Sequence, residues 1–114
     1  MATKEGLQQF EAQITAAGVV FGTVVPANQR RYVYRIKTAN QFAGANQLQF
    51  GFDTGGVPTV IDFIEHAAQF DMWIDPDELK EDALPIYIIA AGNSFYGITN
   101  NGNCRVRLLY EDSE

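Results

Sequence analysis

The sequence predicts an all-β domain, a two-sheet antiparallel sandwich of about eight strands. Three observations predict it. From Val19 onward, apolar residues recur with period two, as in strands with one wet face. Clusters of Gly, Asn, Pro and Asp punctuate these runs at intervals of about eight to twelve residues. At 114 residues, with 46% hydrophobic and 19% charged side chains, the chain makes one domain with a real core.

The N-terminal segment reads differently. Leu7, Phe10 and Ile14 are spaced i, i+3, i+7, which lines one face of a helix, and Gly18 is a stop signal. Residues 1–18 are therefore expected to be an N-terminal arm or short helix, and residues 19–114 the sandwich. In either form the three apolar groups need a surface, on this domain's sheet or on a neighbouring subunit.

The strands follow in order. Val19–Val25 is a β-branched run, and Pro26-Ala27-Asn28 turns the chain into a second strand. There Tyr32, Tyr34 and Ile36 alternate with Val33, Arg35 and Lys37. Leu48, Phe50 and Phe52 alternate with Gln47, Gln49 and Gly51. Asp53-Thr54-Gly55-Gly56 is a turn, followed by strands at Val60–Ile64 and Phe70–Ile74. Residues 75–83 are an acidic loop. Ile86–Ala90, Ser94–Thr99 and Arg105–Tyr110 complete the set, and Asn101-Gly102 predicts a hairpin between the last two. Eight strands without a Cys…Trp…Cys arrangement favour a jelly-roll-like sandwich over an immunoglobulin-like one.

Composition excludes several functions. A formal charge of −6 argues against sequence-independent nucleic-acid binding and against attraction to anionic lipid. No apolar leader follows Met1, and the apolar run Leu84–Ala91 is too short to span a bilayer, so a soluble protein made in a cytoplasm is expected. With Cys104 alone, no intrachain disulfide forms, and a buried thiol is expected. One Cys and His66 cannot make a zinc site, and no local signature makes them a catalytic pair. Gly55-Gly56 lacks the Gly-Lys-Ser/Thr of a phosphate loop. The acids at 71–82 lack the glycine of a calcium loop and read as a solvated loop. Asp62 and Asp71 could serve glycoside hydrolysis only across a cleft that so small a sandwich hardly offers. No cofactor is expected, and the chain is read as non-enzymatic.

Charge placement is the strongest remaining signal. Arg30, Arg31, Arg35 and Lys37 place four cations in residues 30–37 with no acid among them. Residues 62–82 carry eight acids, Asp75, Asp77 and Glu78 among them, against Lys80 alone. A basic edge of one copy could meet an acidic loop of the next, and such complementarity sets register and on-rate. Partner contact is thus assigned to Leu7, Phe10 and Ile14 on the arm, and to Arg30, Arg31, Arg35, Lys37, Asp75, Asp77 and Glu78 as charges. The alternative is a carbohydrate-binding sandwich, with Trp73, Tyr32, Tyr34, Tyr87, Tyr96 and Phe95 as its stacking platform.

The stretch Gly22–Asn40, with Val25-Pro26-Ala27-Asn28 opening a strand that ends in Asn40, resembles small structural proteins of tailed bacteriophages. The resemblance continues in Pro85–Thr99 around Ala90-Ala91-Gly92-Asn93-Ser94, and in the acid-ended last strand Asn103–Asp112. Asn93 stands where that family commonly has an acid. The matched pieces cover about half of the chain. The resemblance implies a virion component of the capsid decoration (cement) type on the capsid surface. Its implied partners are the major capsid protein and its own copies, with a trimer favoured and an N-terminal arm reaching neighbours. It implies no catalytic residues, and for the carbohydrate-binding alternative it implies a module of a phage tail or fibre.

Overall fold

The computed structural model describes residues 6–75 and 83–114, with the side chains of residues 73–75 excepted. Among these residues there are nine strands and no helix: β1 (Gln8–Ile14), β2 (Val19–Phe21), β3 (Arg30–Asn40), β4 (Asn46–Thr54), β5 (Val57–His66), β6 (Met72–Asp75), β7 (Tyr87–Ala90), β8 (Asn93–Thr99) and β9 (Cys104–Ser113). The eight strands expected after residue 18 are β2 to β9.

They form two antiparallel sheets. One has the order β1-β9-β3-β6, with β7 also pairing β3 beyond β6; the other has the order β2-β8-β4-β5. Their inner faces meet in one core. Ile14, Val33, Ile36, Ile89, Val106 and Leu108 come from the first sheet, and Leu48, Ile64 and Phe95 from the second. The slab measures 40 × 37 × 18 Å. Two stacked sheets about 10 Å apart, with their outer side chains, give such a thickness.

The N-terminal segment corrects the expectation of an arm or short helix. Over residues 8–14 it is strand β1, paired along its length with β9 from Gln8↔Tyr110 to Ile14↔Cys104. Two of the three residues that read as a helical stripe, Phe10 and Ile14, also satisfy strand parity and with Ala12 between them pack on the core, whereas Leu7 falls before the strand. The open edge of β9 decides between the readings, since an isolated helix this short is marginal in water.

Asn101-Gly102 is a second correction. β8 and β9 lie in different sheets, so this turn is a crossover and not a hairpin. Gly102 does not occupy the left-handed region. It is glycine because the Phe42 ring packs where a Cβ would stand. The hairpin is at Gly55-Gly56, between β4 and β5. Both residues have positive φ, 56° and 95°, as a two-residue type I′ turn requires. The expected strand Val19–Val25 stops at Phe21, and Gly22 at φ 76° turns the chain out of the sheet.

Two irregularities set which side chains face inward. The register of β3 against β9 shifts between Val33 and Arg35. The inward set changes there from Arg31 and Val33 to Ile36, Thr38 and Asn40. A second shift lies between Phe50 and Gly51, opposite β5. A Cβ on Gly51 would stand 1.9 Å from the Thr59 carbonyl oxygen, so only glycine fits.

Candidate interaction surface

The residues assigned to partner contact separate into three groups. Phe10 and Ile14 belong to the domain's own core. Phe10 stacks on Tyr110 at 4.9 Å and meets Phe95 edge-on at 5.7 Å. Ile14 is fully buried, 3.1 Å from where a Cβ on Gly97 of the opposite sheet would stand. Their attachment role is corrected accordingly, because a side chain spent on its own core is not available to a neighbour. Leu7, half-buried, precedes β1.

Arg31 is likewise corrected from a surface cation to a core residue with no exposed area. Its guanidinium donates from Nε and Nη2 to both carboxylate oxygens of Asp112, at 2.8 and 2.9 Å. It also donates to the carbonyl oxygen and hydroxyl of Thr23. The rings of Tyr110, Phe95 and Phe10 lie 4.7, 5.0 and 5.5 Å from its centre. Planar Arg is suited to such a site, satisfied at its edge by a carboxylate and on its faces by aromatic rings. Inward parity on β3 places the cation there, and a carboxylate 81 residues away makes its burial tolerable.

Arg30, Arg35 and Lys37 do lie on the outside of the first sheet, Arg30 exposed at one end and the other two further along β3. Lys37 stands directly opposite Arg107, and Ala39 opposite Arg105. The sheet thus gathers Arg35 and Lys37 with Arg105 and Arg107, two cations that the sequence reading passed over. Their signal was the alternation Cys104-Arg105-Val106-Arg107-Leu108, which already put both on a wet face. What it lacked was the knowledge that β9 pairs with β3. Glu11 on β1 faces Arg107, accepts from its Nε at 2.7 Å, and lies 3.6 Å from Arg105. Those guanidinium groups hold the Glu11 carboxyl below the usual carboxylate range.

The acidic half of the expected charge pairing is described only at its start. The backbone of Asp75 pairs with Ile36, while Asp77 and Glu78 lie outside the described residues, as does most of the acidic loop.

Away from Arg31, the buried polar residues Thr38, Asn40, Asn46, His66 and Thr99 gather at the other end of the core. His66, on β5, bridges the sheets. Its Nε2 is 2.8 Å from the Thr38 hydroxyl of β3, and its Nδ1 is 3.1 Å from Asp71. This is the connectivity of a hydroxyl–imidazole–carboxylate triad, but the Thr38 hydroxyl is buried at 1% exposure, facing the opposite sheet, where no substrate can reach it. Asp71 accepts from the Ala67 backbone amide, and this bond, with the contact to His66, lowers its pKa. Cys104 sits beside Asn46 and Asn40, at 3.5 and 3.9 Å. Burial pushes its thiol up to about 11, so it is protonated at neutral pH and a poor nucleophile. Among the described residues no hydrogen bond joins it to His66, and no group of three metal-ligating side chains forms.

Among the described side chains the aromatic residues do not assemble an outer row, and the half-buried Tyr32 and Tyr96 stand on different sheets. Phe95 and Tyr34 are buried, and Tyr87 packs against the core. The Trp73 side chain lies outside the described atoms. No family model, curated protein or solved structure matches this chain.

Proposed function

We propose that this protein is a non-enzymatic virion structural protein, a capsid decoration (cement) protein of a tailed bacteriophage, binding the capsid surface and its own copies. The observation that carries the reading is the strand order. β1-β9-β3-β6 facing β2-β8-β4-β5 supports a jelly roll of two interleaved Greek keys, with β7 as a short continuation of the edge beside β3. That architecture serves capsid and lectin domains alike. The phrases at Gly22–Asn40, Pro85–Thr99 and Asn103–Asp112 favour the first. The chemistry of the interior agrees. Its polar groups bond one another, and its one thiol is held protonated. Binding then rests on the outer face of the first sheet and on sheet edges that carry exposed Ile61, Phe63, Ile86 and Ile88. Residues 1–5, part of the expected attachment arm, lie outside the described residues.

The test is expression with and without assembled particles, followed by sedimentation and light scattering of the free protein. The reading expects co-sedimentation with capsids and a free mass near three times the 12.7 kDa chain. Protein that stays in the supernatant of its own phage's particles overturns it.

A further inference from the structure

The outer face of the first sheet carries an unbalanced charge. In one row across the strands Glu11, Arg107 and Lys37 stand side by side; the row on one side of it holds Gln13, Arg105 and Ala39, and the row on the other side Gln9, Leu109 and Arg35. With Arg30 at the far end of β3, five of the chain's eight cations thus share the outer face with the two carboxylates of Glu11 and Glu111, although the chain as a whole is at −6. Lys37 and Arg107 are directly opposed on adjacent strands, where like charges destabilise a sheet. Glu11 offsets Arg107 and Arg105. Among the described residues no carboxylate lies within salt-bridge distance of Lys37. The Arg105 and Arg107 side chains are about half exposed, at 52% and 46%. Shallow grooves run between these groups, one lined by Gln9, Arg35, Lys37, Arg107 and Leu109, the other by Glu11, Lys37, Arg105 and Arg107. A folded sheet holds the cations in fixed rows, so a complementary surface meets them without ordering a loop first.

We infer that this face is the docking surface, and that it takes an acidic protein surface presenting carboxylates to Lys37, Arg105 and Arg107. The inference deepens the structural reading by naming the face used, and rests on that reading only for which protein supplies the acids. A protein surface is favoured over nucleic acid because the rest of the chain is strongly negative and would lie in the field of a phosphate polymer.

The experiment uses the full chain and poly-L-glutamate as the carboxylate probe, read by fluorescence anisotropy at low and moderate salt. Wild type is expected to bind, more weakly as salt rises. A Lys37→Gln/Arg105→Gln variant is expected to lose about tenfold in affinity. Gln49→Glu, on β4 of the second sheet, also removes one unit of net positive charge and is expected to leave it unchanged. Glu11→Gln is expected to tighten binding, because it removes the face's own competing carboxylate; a merely structural role for Glu11 would not do so. Melting curves establish that each variant is folded. Absence of binding by wild type, an equal loss in Gln49→Glu, or tighter binding of duplex DNA of matched charge overturns the inference. Capsid co-sedimentation without poly-L-glutamate binding rejects this face and leaves the virion reading standing. The reverse result rejects the virion reading and keeps the face.

Discussion

Arg31 and Asp112 form a two-pronged ion pair inside the sandwich, with Nε to Oδ1 at 2.8 Å and Nη2 to Oδ2 at 2.9 Å. The pair ties β3 to the C-terminal end of β9, and the same guanidinium holds Thr23 in the connection from β2. Removing one member strands the other as an uncompensated charge. Asp112→Ala is expected to destabilise the fold by about 3 kcal/mol, in the range for a broken buried pair. Arg31→Lys is expected to be nearly as damaging, since an ammonium cannot make the fork. Urea unfolding measures both, and a loss under about 1 kcal/mol for Asp112→Ala would show that the pair is dispensable.

Glycine is required at one strand position and replaceable at one turn position. Gly51→Ala is expected to cost more than about 2 kcal/mol, because the new Cβ meets the Thr59 carbonyl, which belongs to the backbone of a paired strand. Gly55→Asn is expected to change stability by less than about 1 kcal/mol, since Asn tolerates positive φ and the space around Gly55 is open. Thermal melts of the two variants, side by side, check the contrast.

The fold should weaken in acid through Glu11 and Asp71. Both carboxyls are lowered in the folded state, Glu11 chiefly by its hydrogen bond to Arg107 and Asp71 chiefly by the Ala67 amide. A lowered folded pKa gives stability that is complete above the unfolded value and disappears as pH falls through the folded one. Stability is therefore expected to decline below about pH 4.5. The Glu11→Gln/Asp71→Asn variant should show a shallower decline in acid than wild type. Parallel slopes would remove these two groups from the explanation.

Cys104 gives the opposite sign at high pH. Its thiol is raised by burial to about 11 in the fold, so its contribution is complete below the unfolded value and is lost as pH rises through the folded one. In native protein at pH 8 the thiol is expected to resist an aromatic disulfide reagent, and to react at once in denaturant. Rapid reaction of the native protein would place the thiol at the surface.

The sequence by itself determined the all-β class and the positions of β2 to β9. Alternate side chains must leave water together, and that requirement is written locally, two residues at a time, as in Leu48, Phe50 and Phe52. It also placed Arg35 and Lys37 on a wet strand face. Tertiary structure decided what depends on a distant partner. Phe10 and Ile14 fit a helix stripe and a strand face equally, and the unpaired edge of β9 settled the matter. Asn101-Gly102 has hairpin composition, yet β8 and β9 belong to different sheets, and only the packing of Phe42 explains that glycine. Arg31 lies in the same basic run as Arg30, and its burial follows from inward parity and from Asp112 far along the chain. The physical reason is the range of the forces. Periodicity is set by the chain's own geometry, whereas the pairing of edges and the neutralising of a buried charge are contacts between segments that the sequence keeps far apart.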